Sequence, residues 1–278
     1  MSLRINTNVD ALTAYRNLST TQNSMSTSIE RLSSGLRINK AADDAAGLAI
    51  SQGLTAQING IGQAQRNAQD GINVVQTADG ALTETHSILQ RMRTLAVQSA
   101  NDSNDQNSRD AIQSEVTALS SELDRIANKT TFNNVNLLNG SFTGKKIQVG
   151  YAKDDNITVD IQSASGGKSF DANGLGLSGI SLASQSGANA AIATLDTAIK
   201  TVSTARADLG ALQNRFQHTI NNLAVTQQNL QASNSAIQDT DMAAEMSNYT
   251  RSQILSQAGT SMLKQANSAA QSVLSLLQ

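Results

Sequence analysis

Every seventh residue from position 54 to position 96 is apolar: Leu54, Ile61, Ala68, Val75, Leu82, Leu89 and Ala96 form one row, flanked by Ile58, Ala64, Ile72, Ala78 and Met92. Seven residues are two helical turns, so the row predicts a long helix carrying an unbroken apolar stripe. A second row near the other end keeps the same period for the same number of steps: Leu195, Val202, Leu209, Phe216, Leu223, Leu230 and Ile237, supported by Ile199, Ala205, Leu212 and Ile220. The two stripes suit each other as partners. At 1.5 Å per residue each row is roughly 64 Å long, and a repeat of 3.5 residues per turn implies slight left-handed supercoiling. The chain of 278 residues contains no proline, where ordinary usage would place about 14. Proline removes an intrahelical hydrogen bond and clashes with the preceding turn, so its exclusion agrees with long uninterrupted helices. A composition of 39% hydrophobic and 3% aromatic residues is lean for one compact globule. The expectation is a mainly α chain, an elongated rod of long antiparallel heptad-patterned helices with rod-core residues Leu54, Ile61, Val75, Leu82, Leu89, Leu209, Phe216, Leu223 and Leu230.

A third, shorter helix is predicted through Ile112, Val116, Leu119, Leu123 and Ile126, with Ser103 and Gln106 as a capping box at its start. Nine of the 18 glycines fall between Gly140 and Gly187. There Lys146 to Val149 and Ile157 to Ile161 alternate polar and apolar around Lys153-Asp154-Asp155-Asn156, which predicts a small β-hairpin among loops. The terminal segments carry stripes of their own, with Ala11, Leu18, Met25 and Leu32 at one end and Leu255, Met262, Ala269 and Leu276 at the other. Each is rich in Ser, Thr, Asn and Gln and alone buries too little apolar surface to offset the entropy of ordering it. Both ends are therefore expected to be disordered in the free monomer.

Several function classes are disfavoured. No cysteine is present, which removes disulfides, thiolate nucleophiles and cysteine zinc sites. The net charge of -2 is spread along the chain, leaving no basic face for nucleic acid or anionic lipid. No apolar run approaches the roughly 20 residues of a membrane span, and the N-terminus has no apolar stretch, so export is expected to use a route without a signal peptide. Gly174-Leu175-Gly176-Leu177-Ser178-Gly179 matches GxGxxG with Asp196 about 20 residues on, but no strand feeds it and no βαβ alternation follows, so it reads as a surface loop. His86 and His218 lie outside any zinc-peptidase motif and read as rod residues. Asp43-Asp44 precede Ala45-Ala46-Gly47-Leu48, where N-capping is a better account than acid/base chemistry. No catalytic, cofactor or metal residue is proposed.

The run from Arg31 to Ser51, RLSSGLRINKAADDAAGLAIS, resembles the N-terminal signature of bacterial flagellins. Gln90 to Asn101, Thr131-Phe132-Asn133 with Leu137 to Gly140, Arg206 to Phe216, Ile254 to Gly259, Met262 to Asn267 and Val273 to Leu277 follow in that family's order. The resemblance covers about residues 1 to 140 and 175 to 278. It departs at Ala236, where flagellins usually carry Arg, and within Asn267 to Val273, where they often carry Pro. Large outer domains are also missing, so the chain resembles a near-minimal flagellin.

The resemblance implies a secreted, extracellular subunit of the flagellar filament, exported unfolded and serving motility. It implies five segments: 1–42 an inner-core polymerisation segment and connector, 43–140 the N-terminal half of a helical rod, 141–190 a minimal variable hairpin region, 191–238 the C-terminal half of the rod, and 239–278 an inner-core segment for polymerisation and chaperone binding. The resemblance further implies that the terminal helices pair in a coiled coil on assembly, with Leu18, Met25, Leu32, Leu255, Met262 and Leu276 as the assembly residues. The implied partners are further copies of the chain in a helical homopolymer, an export chaperone, and the filament cap and hook-filament junction proteins. A last implied partner is the flagellin-sensing Toll-like receptor of animal hosts. Arg91, Leu95 and Gln98 fall on one helical face, with Glu115 beside them on the next helix, at positions that carry this recognition in similar flagellins. A hook-filament junction protein of the same family is the alternative within the family. An enzyme displayed on such a scaffold would need more than the roughly 35 residues between the matching halves, and a generic coiled-coil adaptor would form discrete oligomers.

Overall fold

The computed structural model describes residues 8–162 and 169–275 of the chain. Leu276 lies outside the described residues. In chain order the elements are α1 (Val9–Ser34), α2 (Ala45–Ser99), α3 (Gln106–Lys129), β1 (Thr131–Phe132), β2 (Val135–Asn136), β3 (Lys145–Gln148), β4 (Asn156–Val159), α4 (Gln185–Gln238) and α5 (Met242–Ser275). The chain divides into two compact units, one of Asn59–Gln227 and one of Met1–Ile58 with Gln228–Gln278. Both divisions fall inside the long helices α2 and α4.

In the unit of Asn59–Gln227 the heptad rows meet as predicted. Val75, Leu82 and Leu89 of α2, Ile112, Val116 and Leu123 of α3, and Leu195, Val202, Leu209 and Phe216 of α4 form one buried apolar cluster. Burying each such side chain contributes about 1.5–3 kcal/mol relative to leaving it exposed. Arg93 donates to Asp196 at 2.5 Å, Arg206 to Asp79 at 2.7 Å, and Phe216 rests against Gly71. The position on α4 rises as that on α2 falls, so the helices run antiparallel. A Cβ at Gly71 would stand 2.8 Å from Phe216 Cζ and 2.9 Å from Ile147 Cδ1. Glycine there lets helix and hairpin reach the same point of α2. Ile61, Leu82, Leu89 and Leu223 are likewise buried, whereas Leu54 and Leu230, in the other unit, are half-buried.

Asp105, and not Ser103, caps α3: its Oδ1 accepts from Ser108 N at 2.8 Å. The turn before it closes around Arg109, which donates to Ser99 O at 2.7 Å and Asn101 O at 3.2 Å. That gives the Ser99 carbonyl at the end of α2 a donor, adds one to the Asn101 carbonyl in the turn beyond it, and places Ser103 outside the helix. The predicted hairpin is β3 paired antiparallel with β4, Ile147 opposite Ile157. A second hairpin, β1 with β2, was not expected. It turns on Asn133 (φ 47°) and Asn134 (φ 63°), two consecutive left-handed residues of the kind a two-residue hairpin needs. The segment carrying Gly174, Gly176 and Gly179 is a loop held onto α3: Asp124 accepts from Ala172 N at 2.8 Å, and Gln113 accepts from Leu182 N at 2.6 Å. Ser99 donates to Leu182 O at 2.6 Å.

In the other unit α1 and α5 pack along each other. Asn8 caps α1 through Ala11 N at 3.0 Å, and Gly35 ends it in the left-handed region, φ 73°. Asn8 Nδ2 also donates to Ala266 O at 2.9 Å, Leu18 faces Gly259, and Arg31 lies 3.8 Å from Glu245. The pair is antiparallel. This is the pairing of the two ends expected on assembly: each segment, too polar to hold alone, packs against the other. Between the helices, Arg37 N donates to Gln238 O at 2.7 Å and Thr240 N to Gly35 O at 2.9 Å. Asp44 caps α2 through Gly47 N at 2.9 Å as expected, but Asp43 instead accepts from Asn39 N and Lys40 N and ties the preceding turn.

Candidate assembly and recognition surfaces

The seven side chains that α1 turns inward, Ala11, Ala14, Leu18, Thr21, Met25, Ser28 and Leu32, repeat at intervals of three and four. Leu18 and Ser28 are buried and the others half-buried. Three of the expected assembly residues, Leu18, Met25 and Leu32, thus lie on the seam toward α5 within one chain. The answering positions on α5 are Glu245, Tyr249, Ser252, Ser256, Gly259, Leu263 and Ala266, again at intervals of three and four. This seam is small and polar, so a search for large apolar residues passes over it. The 3,4 spacing of Ser, Gly and Ala was the available signal.

The other two described assembly residues stand outside that seam. Leu255 is 51% exposed and Met262 66% exposed, and Met246 and Ile254 are comparably open. On α1, Leu12, Tyr15 and Ile29 are exposed as well. A large apolar side chain left in water forgoes the stabilisation that burial would provide, and several on one helix pair form a surface in want of a cover.

At the far end of α2, Arg91 donates to Glu115 Oε1 from Nε at 2.8 Å and Nη2 at 2.7 Å, both residues standing in solvent. Gln98 is exposed, and its carbonyl accepts from Asn104 Nδ2 at 2.6 Å. Leu95 does not share this surface. It is 2% exposed and belongs to the apolar cluster, because α3 packed on α2 widens the buried stripe by one position. The surface patch is therefore Arg91, Gln98 and Glu115, with Leu95 supporting it from below. Nearby, Arg93 holds the Asp196 carboxyl below the usual range through its hydrogen bond and charge, and Arg125 does the same for Glu122. Among the described residues no group of three or more His, Asp or Glu is arranged to hold a metal, and no helix is long and apolar enough to cross a membrane.

Residues 5–143 match the family model described as the bacterial flagellin N-terminal helical region, and residues 192–277 match the C-terminal helical region. The chain is 46% identical to a flagellin of Halalkalibacterium halodurans over 274 residues, covering 99% of both chains. It is 43% identical to the flagellin of Bacillus subtilis over 304 residues, covering 99% of this chain and all of the other. Among solved structures, a Bacillus cereus flagellin aligns with a TM-score of 0.50 at 34% identity, over 57% of this chain and 88% of the other.

Proposed function

The chain belongs to the bacterial flagellin family, and from that premise we propose that its paired terminal helices α1 and α5 drive polymerisation through the apolar side chains they leave exposed. As a flagellin it is a structural protein and not an enzyme, exported to form the extracellular flagellar filament by self-polymerisation. The observation that supports the terminal reading is the division of labour on α5: one stripe is closed against α1, while Met246, Ile254, Leu255 and Met262 stay open. A face on one subunit that meets a different face on the next gives a heterologous contact, which propagates without closing. Seeded growth tests it. Heat-dissociated full-length chain is added to short filament seeds beside a chain lacking residues 1–42 and 239–278. Elongation is expected from the full chain alone, and elongation by the truncated chain would overturn the proposal. A hook-filament junction protein would terminate seeds without extending them.

The same open face of α5 suits an export chaperone that covers it before secretion. Deleting residues 255–278 is expected to abolish chaperone binding in a pull-down, and undiminished binding would place the chaperone site elsewhere. The filament cap and the hook-filament junction proteins would meet the subunit through these terminal helices at the two ends of the filament. Arg91, Gln98 and Glu115 form the proposed surface for the flagellin-sensing Toll-like receptor, with Leu95 fixing the helix beneath them. Monomeric Arg91→Ala is expected to lose at least tenfold in receptor activation, and an unchanged response would remove the patch from the receptor interface.

A further inference from the structure

We infer that Leu18 and Gly259 form a size-matched contact that sets the register and spacing of α1 against α5, and with them the geometry of the open face that assembles. The inference rests on the terminal-helix reading above. Leu18 is the buried large apolar side chain of α1. A Cβ built on Gly259 would lie 3.3 Å from its Cδ1 and 3.7 Å from its Cβ. A glycine in a helix interior is unfavourable relative to alanine, so its presence calls for a reason. Gly53, Gly80 and Gly210, also inside helices, have open space where a Cβ would be. Gly259 is different: it is the hole into which the Leu18 knob fits.

Contacts on both sides keep the same antiparallel register, Asn8 with Ala266 toward one end and Arg31 with Glu245 toward the other. Stepping along the seam in sevens from the central contact sets Met25 opposite Ser252 and Ala11 opposite Ala266, and the intervening step sets Leu263 opposite Ala14. At Leu18, Met25 and Leu263 a large residue meets a small one. Leu263 therefore points into the seam while its neighbour Met262 points out, and any change in the spacing of the helices changes the angle at which Met262 and Leu255 are offered to a neighbouring subunit. Gly259 acts as a positioning residue for the assembly surface without lying on it.

The test is a swap. Gly259→Leu sets two leucines against each other and is expected to slow seeded elongation at least tenfold. Adding Leu18→Ala to Gly259→Leu moves the knob to the other helix and is expected to return elongation to within about threefold of the native chain. Gly259→Ala, whose Cβ is tight only against the movable Cδ1 of Leu18 and in ordinary contact with the rest of that side chain, is expected to elongate near the native rate. A second readout is independent of polymerisation. The chain has no cysteine, so Thr21→Cys with Ser256→Cys reports the seam by oxidative cross-linking within one monomer. The yield is expected to fall at least fivefold in the Gly259→Leu background and to recover in the swap. Native elongation and cross-linking in Gly259→Leu, or a swap that restores neither, would overturn the inference. Those outcomes leave the terminal-helix reading intact, because elongation of seeds by the chain without its ends is a separate result that tests that reading.

Discussion

Phe216 is fully buried where α4 crosses Gly71 and the β3 side chain Ile147, so helix and hairpin share one ring. Phe216→Ala removes the ring and leaves a cavity that two rigid helices cannot close, and it is expected to cost about 3–5 kcal/mol of stability. Gly71→Val approaches the same point from the other side, forcing a methyl group where the ring already stands, at a cost of about 1–3 kcal/mol. Urea denaturation followed by circular dichroism measures both. The charged residues act in a narrower window. Asp43, Asp105, Glu122 and Asp196 are lowered from ordinary values of 3.8 for Asp and 4.5 for Glu, Asp43 by the backbone N–H groups of Lys40 and Asn39, Asp105 by Ser108, and the other two by Arg partners. Depressed carboxylates stabilise above their ordinary pKa, and that stabilisation disappears as pH falls through the lowered values. Lys40, Arg93 and Arg125 are raised by their carboxylate partners, so their share persists until strongly alkaline pH. The denaturation midpoint is therefore expected to be flat between about pH 5 and 9 and to fall below about pH 4. Because all these groups are exposed, salt should blunt the acid limb, and Asp196→Asn should make it shallower.

Among the elements, α3 shows how much of a helix is legible in sequence. Its apolar row is plain in the sequence, since the 3.6-residue period survives any context, but the capping pattern puts its start at Ser103 because that pattern ignores what the preceding turn must enclose. That turn encloses Arg109, 8% exposed, whose guanidinium holds the carbonyls at the end of α2. Arg109→Ala takes its donor from the buried Ser99 carbonyl and is expected to cost about 1–3 kcal/mol, with faster amide exchange across residues 99–108 as the local signature. The long helices were legible for the same reason as α3. The seam of α5 was not, because four of its seven positions, Ser252, Ser256, Gly259 and Ala266, are small and carry little hydrophobic signal, and the visible row of Leu255 and Met262 points the other way. The β1–β2 hairpin escaped because two-residue strands are too short to show alternation, although Asn133-Asn134 was a usable turn signal. Leu95 was assigned to the surface because helical spacing alone shows which residues share a face and leaves open how wide a stripe the neighbouring helix covers.

At the scale of the whole chain, apolar burial is distributed unevenly between the two compact units. Among the described residues the buried apolar cluster runs from Ala68 to Phe216, all within the unit of Asn59–Gln227. The other unit buries Leu18 and Ile38 and otherwise relies on half-buried small residues, backbone hydrogen bonds and the Arg31–Glu245 pair. Free energies of local opening follow buried apolar contact, so the two units should open separately in the monomer. Amide exchange is expected to protect residues 68–98 and 195–216 most strongly, with α1 and α5 exchanging together at a denaturant concentration well below the main transition. Limited proteolysis should trim the terminal helices first and leave a folded, monomeric fragment. In filaments the order should reverse for the ends: once neighbouring subunits cover Met246, Ile254, Leu255 and Met262, protection of α1 and α5 should rise toward that of the cluster, since binding stabilises what it buries. Equal protection of the terminal helices in monomer and filament would mean that assembly does not cover them, and the terminal faces would lose their role in polymerisation.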